Sequence, residues 1–447
     1  MKRIFLIAML SIAYVSIAQT QSYTDIGVLF SQETINGTAR FNGMSGAFGA
    51  LGGDLSAMDI NPAGAAVFIN SEFSTSLSIR NTKTSSFYYG NSEITDNDYT
   101  NLSQAGGVFV FRNNSNRSGW NKMAIGFNYS IANDFENLWF ASGNSNFPTW
   151  IYDPDENNNT LYLNSDGQYF ENFTDGKNNK YTFTFASQYN DNLFIGASIS
   201  SYDVENYQRV LLEEYNNDGN GNLLDASQTQ ELFTYGDGIS FNLGFIAKAN
   251  ENIRFGASYQ SPVWYSLAED YVDFDSEIWV SNTNEVYTEY SGVNAFDYRL
   301  RTPSKFTGSF AYIFGKQGLF SLDYIYKNYS KIQLSNANFS DENNEILNNF
   351  QGASELRLGT EWRFDNISLR GGYHFEQNPN KAAINSDNIE GYSFGAGIKF
   401  RRAKLDFAYQ KASNTNFYDF YPQYNEVNVT ELNYDNSRFT ATLVLSI

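Results

Sequence analysis

From residue 71 onward, apolar and polar residues alternate with a period of two, which marks strands with two unlike faces. Over 353–364, Leu356, Leu358, Thr360, Trp362 and Phe364 take one side, and Glu355, Arg357, Gly359, Glu361 and Arg363 take the other. Residues 403–413 set Leu405, Phe407 and Tyr409 against Lys404, Asp406, Ala408 and Gln410. Residues 437–447 set Phe439, Ala441, Leu443, Leu445 and Ile447 against Arg438, Thr440, Thr442 and Ser446. The pattern predicts fourteen strands, at 71–81, 103–112, 120–133, 180–190, 193–206, 238–249, 253–265, 304–314, 318–328, 353–364, 366–377, 389–401, 403–413 and 437–447. Alternation alone fits a soluble sandwich with the apolar face inside. It fits equally a membrane barrel with that face turned out to lipid.

Connection lengths separate the two. Links after even-numbered strands are short, as in Asn190-Asp191-Asn192, Asn250-Glu251-Asn252, Gly315-Lys316-Gln317 and Asp365-Asn366. Links after odd-numbered strands are longer, and the strands approach the ~9–11 residues that cross a bilayer at a tilt. Short periplasmic turns alternating with long external loops describe an up-and-down outer-membrane barrel. The chain therefore reads as all-β, a 14-stranded antiparallel transmembrane β-barrel over residues 71–447, with both ends on the periplasmic side.

The N-terminus agrees. Lys2 and Arg3 precede an apolar run over 4–17, and Ser16-Ile17-Ala18 supplies small residues for cleavage. Residues 1–18 read as a signal peptide cut near Ala18, which directs the chain out of the cytoplasm. Beyond it no run of about 18 apolar residues exists to form a membrane helix. Aromatics are 17% and charged residues 17%, the latter low against about 25% for a typical soluble domain. The absence of cysteine excludes a lipid anchor, a disulfide and a thiolate metal site. The net charge of −20 is concentrated in 135–179, 208–237, 266–303 and 414–435, which together hold 25 acids and four bases. Such a surface excludes nucleic acid as a partner.

Residues 19–70 lack the strand pattern. The stretch 37–66 holds seven glycines and seven alanines, with glycines 43, 46, 49 and 52 at every third position. It contains neither the G-x-G-x-x-G of a dinucleotide fold nor a Gly-Lys-Ser/Thr phosphate loop. Asp54, Asp59 and Pro62 rule out a membrane helix. Phe41, Met44, Phe48, Leu51, Leu55, Met58 and Ile60 argue against a solvated linker. A segment of this kind packs closely against something larger, and a plug inside the barrel is the reading that follows.

Arg40 and Gly43, followed by Asn61-Pro62-Ala63-Gly64 and a first strand, resemble the N-terminal hatch of the FadL/TodX-type outer-membrane transporters. The resemblance implies passive uptake of a long-chain fatty acid or an aromatic or otherwise hydrophobic compound, gated by hatch movement. It also implies a sideways exit at an inward kink of the third strand, for which Gly126, Ala132 and Asn133 are the candidates. Residues 19–70 would be the hatch. The expected surroundings are outer-membrane lipid and lipopolysaccharide of a Gram-negative-type cell. The last strand resembles the signal read by the barrel assembly machinery, although Ile447 departs from the usual terminal Phe. The alternative reading is a structural or interaction barrel of a secretion or surface complex.

Candidate chemistry is sparse. His374 is the sole histidine and has no serine or acid at motif spacing, so an enzyme is disfavoured. No cofactor or metal is expected: Asn216-x-Asp218-x-Asn220-Gly221 and Asp153-x-Asp155-x-Asn157 open like calcium loops but lack the closing ligands. Arg357, Arg363, Arg370, His374 and Arg401 are expected to face the lumen, either paired with acids that fix the hatch or free to hold a ligand carboxylate. Aromatic clusters at 139–152, 264–271 and 417–424 read as a membrane girdle in preference to an external capture groove.

Overall fold

The computed structural model describes residues 22–112 and 119–447, and the expected signal peptide lies outside the described residues. One antiparallel sheet closes on itself, the first strand pairing with the last from Glu72↔Ser446 to Phe87↔Glu431. Its segments make fourteen wall strands in meander order. They are β1 (Glu72–Tyr88), β2 (Asn91–Arg112), β3 (Trp120–Asp134, continued by Asn137–Gly143), β4 (Asn164–Tyr189), β5 (Leu193–Asn217), β6 (Leu223–Lys248) and β7 (Ile253–Gln260 and Trp264–Val280). The circuit continues with β8 (Asn294–Arg301 and Lys305–Phe314), β9 (Gly318–Asn328 and Gln333–Ser335), β10 (Gly352–Phe364), β11 (Ile367–Glu376), β12 (Ile389–Lys399), β13 (Ala403–Tyr418) and β14 (Thr430–Ser446). Closure pairs the strands around the circuit, as the hydrocarbon layer demands, except where β3 leaves β2 beyond Gln104↔Ser130.

The inversion of polarity is direct. On β14, Thr440 and Thr442 are buried, while Phe439 and Leu443 stand 46% and 42% exposed. On β10, Glu355, Arg357 and Glu361 are buried and Trp362 faces out. A soluble sandwich would reverse both. No helix among the described residues is long and apolar enough to cross a membrane.

The external ends differ from expectation. Residues 82–102 and 207–237, expected as loops, continue the ladders of β1–β2 and β5–β6. β4, β5 and β6 have 26, 25 and 26 residues, far more than a bilayer needs. Tyr89 and Gly90 turn the first hairpin with φ of 42° and 87°, the paired positive values of a tight type I′ turn. These outer halves carry Thr82, Thr84 and Ser86 inside, and outside they mix Lys83, Asp96 and Asp98 with Phe87 and Ile94, because water rather than lipid surrounds them. Of the four acidic stretches, 208–237 lies on the β5–β6 hairpin, and the others lie at the same end of β3–β4, β7–β8 and β13–β14.

The aromatic clusters are also not simply a girdle. Trp139, Trp150, Tyr162, Phe170, Phe420 and Tyr421 are buried together and close the external end of the barrel. Phe170 stacks on Phe420 at 3.7 Å. Buried Glu214 accepts from Thr149 N–H at 2.6 Å, Trp150 N–H at 3.1 Å and the Tyr421 hydroxyl at 2.9 Å, which ties the two covering loops to β5. Trp264 does face outward as a girdle residue. Asp218, at the β5–β6 tip, accepts from Asn220 and Asn222 N–H at 2.7 and 3.0 Å, and these bonds hold its carboxyl below the ordinary range. The loop thus spends that carboxylate on its own turn.

Candidate functional site

Residues 22–70 fill the lumen. They form α1 (Tyr23–Leu29), α2 (Ala39–Asn42), α3 (Ala57–Ile60) and a 3-10 helix, Pro62–Val67. Pro62 suits the first turn, where no N–H partner is needed. Asn61 caps that helix by accepting from Ala63 N–H at 3.1 Å. Its amide donates to Gly49 O at 2.8 Å and to Phe245 O of β6 at 2.9 Å, so one side chain joins two hatch turns to the wall.

The spaced glycines are contact points. Gly43 lies against Gly395 of β12, Gly49 against Gly256 of β7, and Gly52 against Gly64. A methyl on Gly256 would overlap the Gly49 carbonyl oxygen. Gly46 turns the chain at φ 71°. The wall contributes the matching absences of side chain, at Gly196, Gly244, Gly359 and Gly372 as well. Gly126, expected at a kink, belongs to this set: it stands in regular ladder opposite Val108 and Thr184 and faces Met58 of the hatch.

Charge pairing joins hatch and wall. Arg40 donates to both oxygens of Glu361, at 2.7 and 3.3 Å, and to Gly53 O at 3.2 Å. Glu361 also accepts from Arg370 at 2.8 Å and Arg363 at 2.6 Å, and Arg370 continues to Asp406 at 2.6 Å. Arg357 pairs with Glu355. These arginines are spent on acids. Arg401 is different: β12 ends at Lys399, and Arg401 sits exposed in the turn to β13, outside the lumen. Arg363 is half-exposed near the same end. His374 is buried, with Nδ1 unpartnered among the described residues.

Further anchors come from residues that no motif flags. Asp323 accepts from Phe48 and Gly49 N–H, both at 2.9 Å. Asp59 accepts from Asn128, Ser130 and Thr182 at 2.9, 3.1 and 2.8 Å. Glu33 lies between Lys180, at 3.2 Å, and Lys305.

The third strand parts from the second. The β2–β3 ladder ends at Gln104↔Ser130, whereas β2 remains paired with β1 up to Asn91. Register slips between Ile131 and Asn133, and the upper half of β3 turns inside the wall. Ser86 of β1 donates from its lumenal side to Phe140 O at 2.5 Å. Arg80 holds the bend, donating to Asp134 at 2.9 Å and Glu136 O at 2.7 Å. Carbonyls freed by the bend accept from the hatch: Thr34 N–H to Ala132 O at 2.9 Å and Asn36 to Ile131 O at 3.1 Å. Asn133 returns a bond to Leu29 O at 2.9 Å. On the lipid side, a groove of about 720 Å³ lined by Phe73, Leu102, Gly107, Phe109, Phe127 and Tyr129 lies beside the parting.

Above the hatch is an apolar cluster. Phe135, Tyr202, Tyr265, Tyr298, Leu300, Tyr329 and Phe339 form it, and Ile26 of α1 and Phe30 of the turn after it pack among them. Phe30 packs on Phe135 and Tyr265 at 5.6 and 5.9 Å. Over its low side, where β9 to β12 have only 10 to 13 residues, lies α4 (Ser340–Asn349), with Ile346 buried in the same cluster. No single stretch of the sequence contains this cluster, because its residues come from seven strands, α4 and the hatch.

The geometry has counterparts. A FadL homologue of Pseudomonas aeruginosa superposes with a TM-score of 0.58 at 12% identity, covering 93% of this chain and 99% of that one. The CymD monoaromatic hydrocarbon channel gives 0.56 at 14%, covering 93% and 98%. The Pseudomonas putida toluene transporter TodX gives 0.55 at 14%, covering 93% and 100%. At such identities the likeness is one of fold. No curated protein sequence matches the chain. The family model for outer membrane protein transport proteins (OMPP1/FadL/TodX) matches residues 20–419, and with that span of the hatch and nearly the whole barrel the chain belongs to this family of outer-membrane transport proteins.

Proposed function

We propose that the chain carries small neutral hydrophobic molecules passively across the outer membrane, by way of the apolar cluster above the hatch and the parting between β2 and β3. The observation that carries the reading is the junction of the two: Thr34 and Asn36 of the hatch occupy the carbonyls of Ile131 and Ala132 at the lip of the parting. A ligand entering from outside loses its water among Phe135, Tyr265 and Phe339. Withdrawal of 32–36 then opens a path to the groove on the lipid face. Ala132 and Asn133 act at this lip, and Gly126 serves hatch packing. The lumenal arginines hold the hatch and take no part in ligand recognition, and no catalytic step is assigned to His374. The apolar outer belt meets membrane lipid, with lipopolysaccharide around the acidic hairpins, and β14 serves assembly.

A reversible lock tests the route. The chain has no cysteine, so Thr34→Cys with Ala132→Cys creates a single disulfide across the lip. Uptake of toluene into proteoliposomes should stop on oxidation and return on reduction. Uptake at the parental rate by the fully oxidised protein would show that ligand leaves elsewhere.

A further inference from the structure

Three neighbouring strands are interrupted at one height. β7 breaks over 261–263, β8 over 302–304 and β9 over 329–332. The breaks are in register: the rung below runs Gln260↔Lys305↔Lys327, and the rung above runs Trp264↔Arg301↔Gln333. Pro262 and Pro303 lie in the gap and can donate no ladder bond. There β7 and β8 are joined instead by Thr302 N–H to Val263 O at 3.0 Å and by Val263 N–H to the Thr302 hydroxyl at 2.9 Å. The missing rungs leave a groove of about 340 Å³ in the outer face of the wall, whose lining includes Pro262, Arg301, Pro303, Ser304, Lys331 and, from α4, Leu347.

The height of this groove and its chemistry belong together. Just below it, Phe306 and Tyr326 pair across β8 and β9 and stand exposed, and Tyr259 packs on Phe306 at 4.8 Å. Trp264 faces out on the rung above, beside Arg301. Aromatic rings in this position mark the boundary between hydrocarbon and headgroups. Arg301 and Lys331 are exposed, and neither enters an ion pair among the described residues. Residues 266–303 hold eight acids, and Arg299 and Arg301 are their only bases. Both lie at the membrane end of that stretch. Cations without an acid partner at headgroup depth, under a rim that otherwise repels anions, suit an anion that the membrane itself supplies. The guanidinium fork matches phosphate oxygens, and the ammonium adds a point charge. We propose that the groove binds the phosphate headgroup of an outer-leaflet lipid, whose chains descend over Phe306 and Tyr326. The site lies on the lipid face of the wall and does not depend on the uptake route.

The test counts ligands bound to the purified protein in detergent by native mass spectrometry. Dioleoyl phosphatidic acid carries the phosphate and the chains, dioleoylglycerol the chains alone, and inorganic phosphate the anion alone. Phosphatidic acid should bind about tenfold more tightly than dioleoylglycerol, and about a tenfold excess of inorganic phosphate should not displace it. Arg301→Gln and Lys331→Gln should each weaken its binding about fivefold, the worth of one base at an anionic headgroup layer, and the double variant about twentyfold. Lys316→Gln, which removes the same charge from the turn at the opposite end of β8, should change nothing. Equal binding of phosphatidic acid and dioleoylglycerol would overturn the proposal. Displacement by inorganic phosphate would overturn it too, since the groove would then be a free-anion site. An equal loss in Lys316→Gln and Arg301→Gln would reduce the effect to net charge and count against it as firmly. Should a variant not fold, the three ligands on the unaltered protein decide alone.

Discussion

Replacing Glu361 by Gln should increase hatch opening about a hundredfold while leaving the barrel folded. Glu361 receives one short and one long bond from Arg40, at 2.7 and 3.3 Å. A hydrogen bond to a charged group is worth about 1.5–3 kcal/mol when its partner is lost. Arg40 retains Gly53 O at 3.2 Å and Asp54 at 4.0 Å, which softens the loss. The net falls near ~3 kcal/mol, or about two orders of magnitude in an equilibrium. The wall suffers less. Arg370 keeps Asp406 at 2.6 Å, and Arg363 is half-exposed and turns to water. Ala47 is fully buried in the hatch, so Ala47→Cys in this cysteine-free chain gives one thiol that a membrane-impermeant maleimide reaches only on opening. Labelling rates should rise about a hundredfold in Glu361→Gln and in Arg40→Gln. The double variant should add little to either, because both remove the same interaction. Rates within threefold of the parent in both single variants would refute the claim that this pair retains the hatch.

Three further outcomes follow from the same contacts. Gly256→Ala should destabilise the folded barrel by about 1–3 kcal/mol through collision with the Gly49 carbonyl; Gly308→Ala, where nothing lies within 4 Å, should be neutral in the same heat-unfolding gel-shift assay. Arg80→Ala leaves Asp134, which is buried, without its guanidinium, so hydrogen exchange over 131–143 should quicken more than tenfold while exchange in β10 to β12 stays constant. Binding of a neutral aromatic should be unchanged between 20 and 500 mM salt at about 0.02 and 0.5 M ionic strength, since the acidic hairpins act only on charge; a steep salt dependence in titrations of propylbenzene would contradict capture by apolar burial.

What could be read from the residues followed the solvent that each segment meets. Where hydrocarbon surrounds the wall, one face must be apolar, so β10, β13 and β14 declare themselves by period two. Above the membrane that demand lapses. Thr82, Thr84 and Ser86 inside and Lys83 and Ser85 outside are polar on both faces, and the outer hairpins therefore pass for loops. Pro262 and Pro303 mark the interruptions of β7 and β8, since neither can donate to a ladder. Carrying the alternation past Lys399 puts Arg401 in the lumen, but the strand has already ended there. The hatch was legible because its glycines crowd into one stretch. Its receptor was not, because the complementary glycines are spread over β3, β5, β6, β7, β10, β11 and β12, and one glycine in a strand has many explanations. The two sets have one cause. A plug without bulk holds its place only where backbone meets backbone, so the wall must give up side chains wherever the hatch does. Adding a side chain on either partner of such a pair should therefore loosen the same contact, and the Gly49–Gly256 pair is where that equivalence is most exposed to measurement.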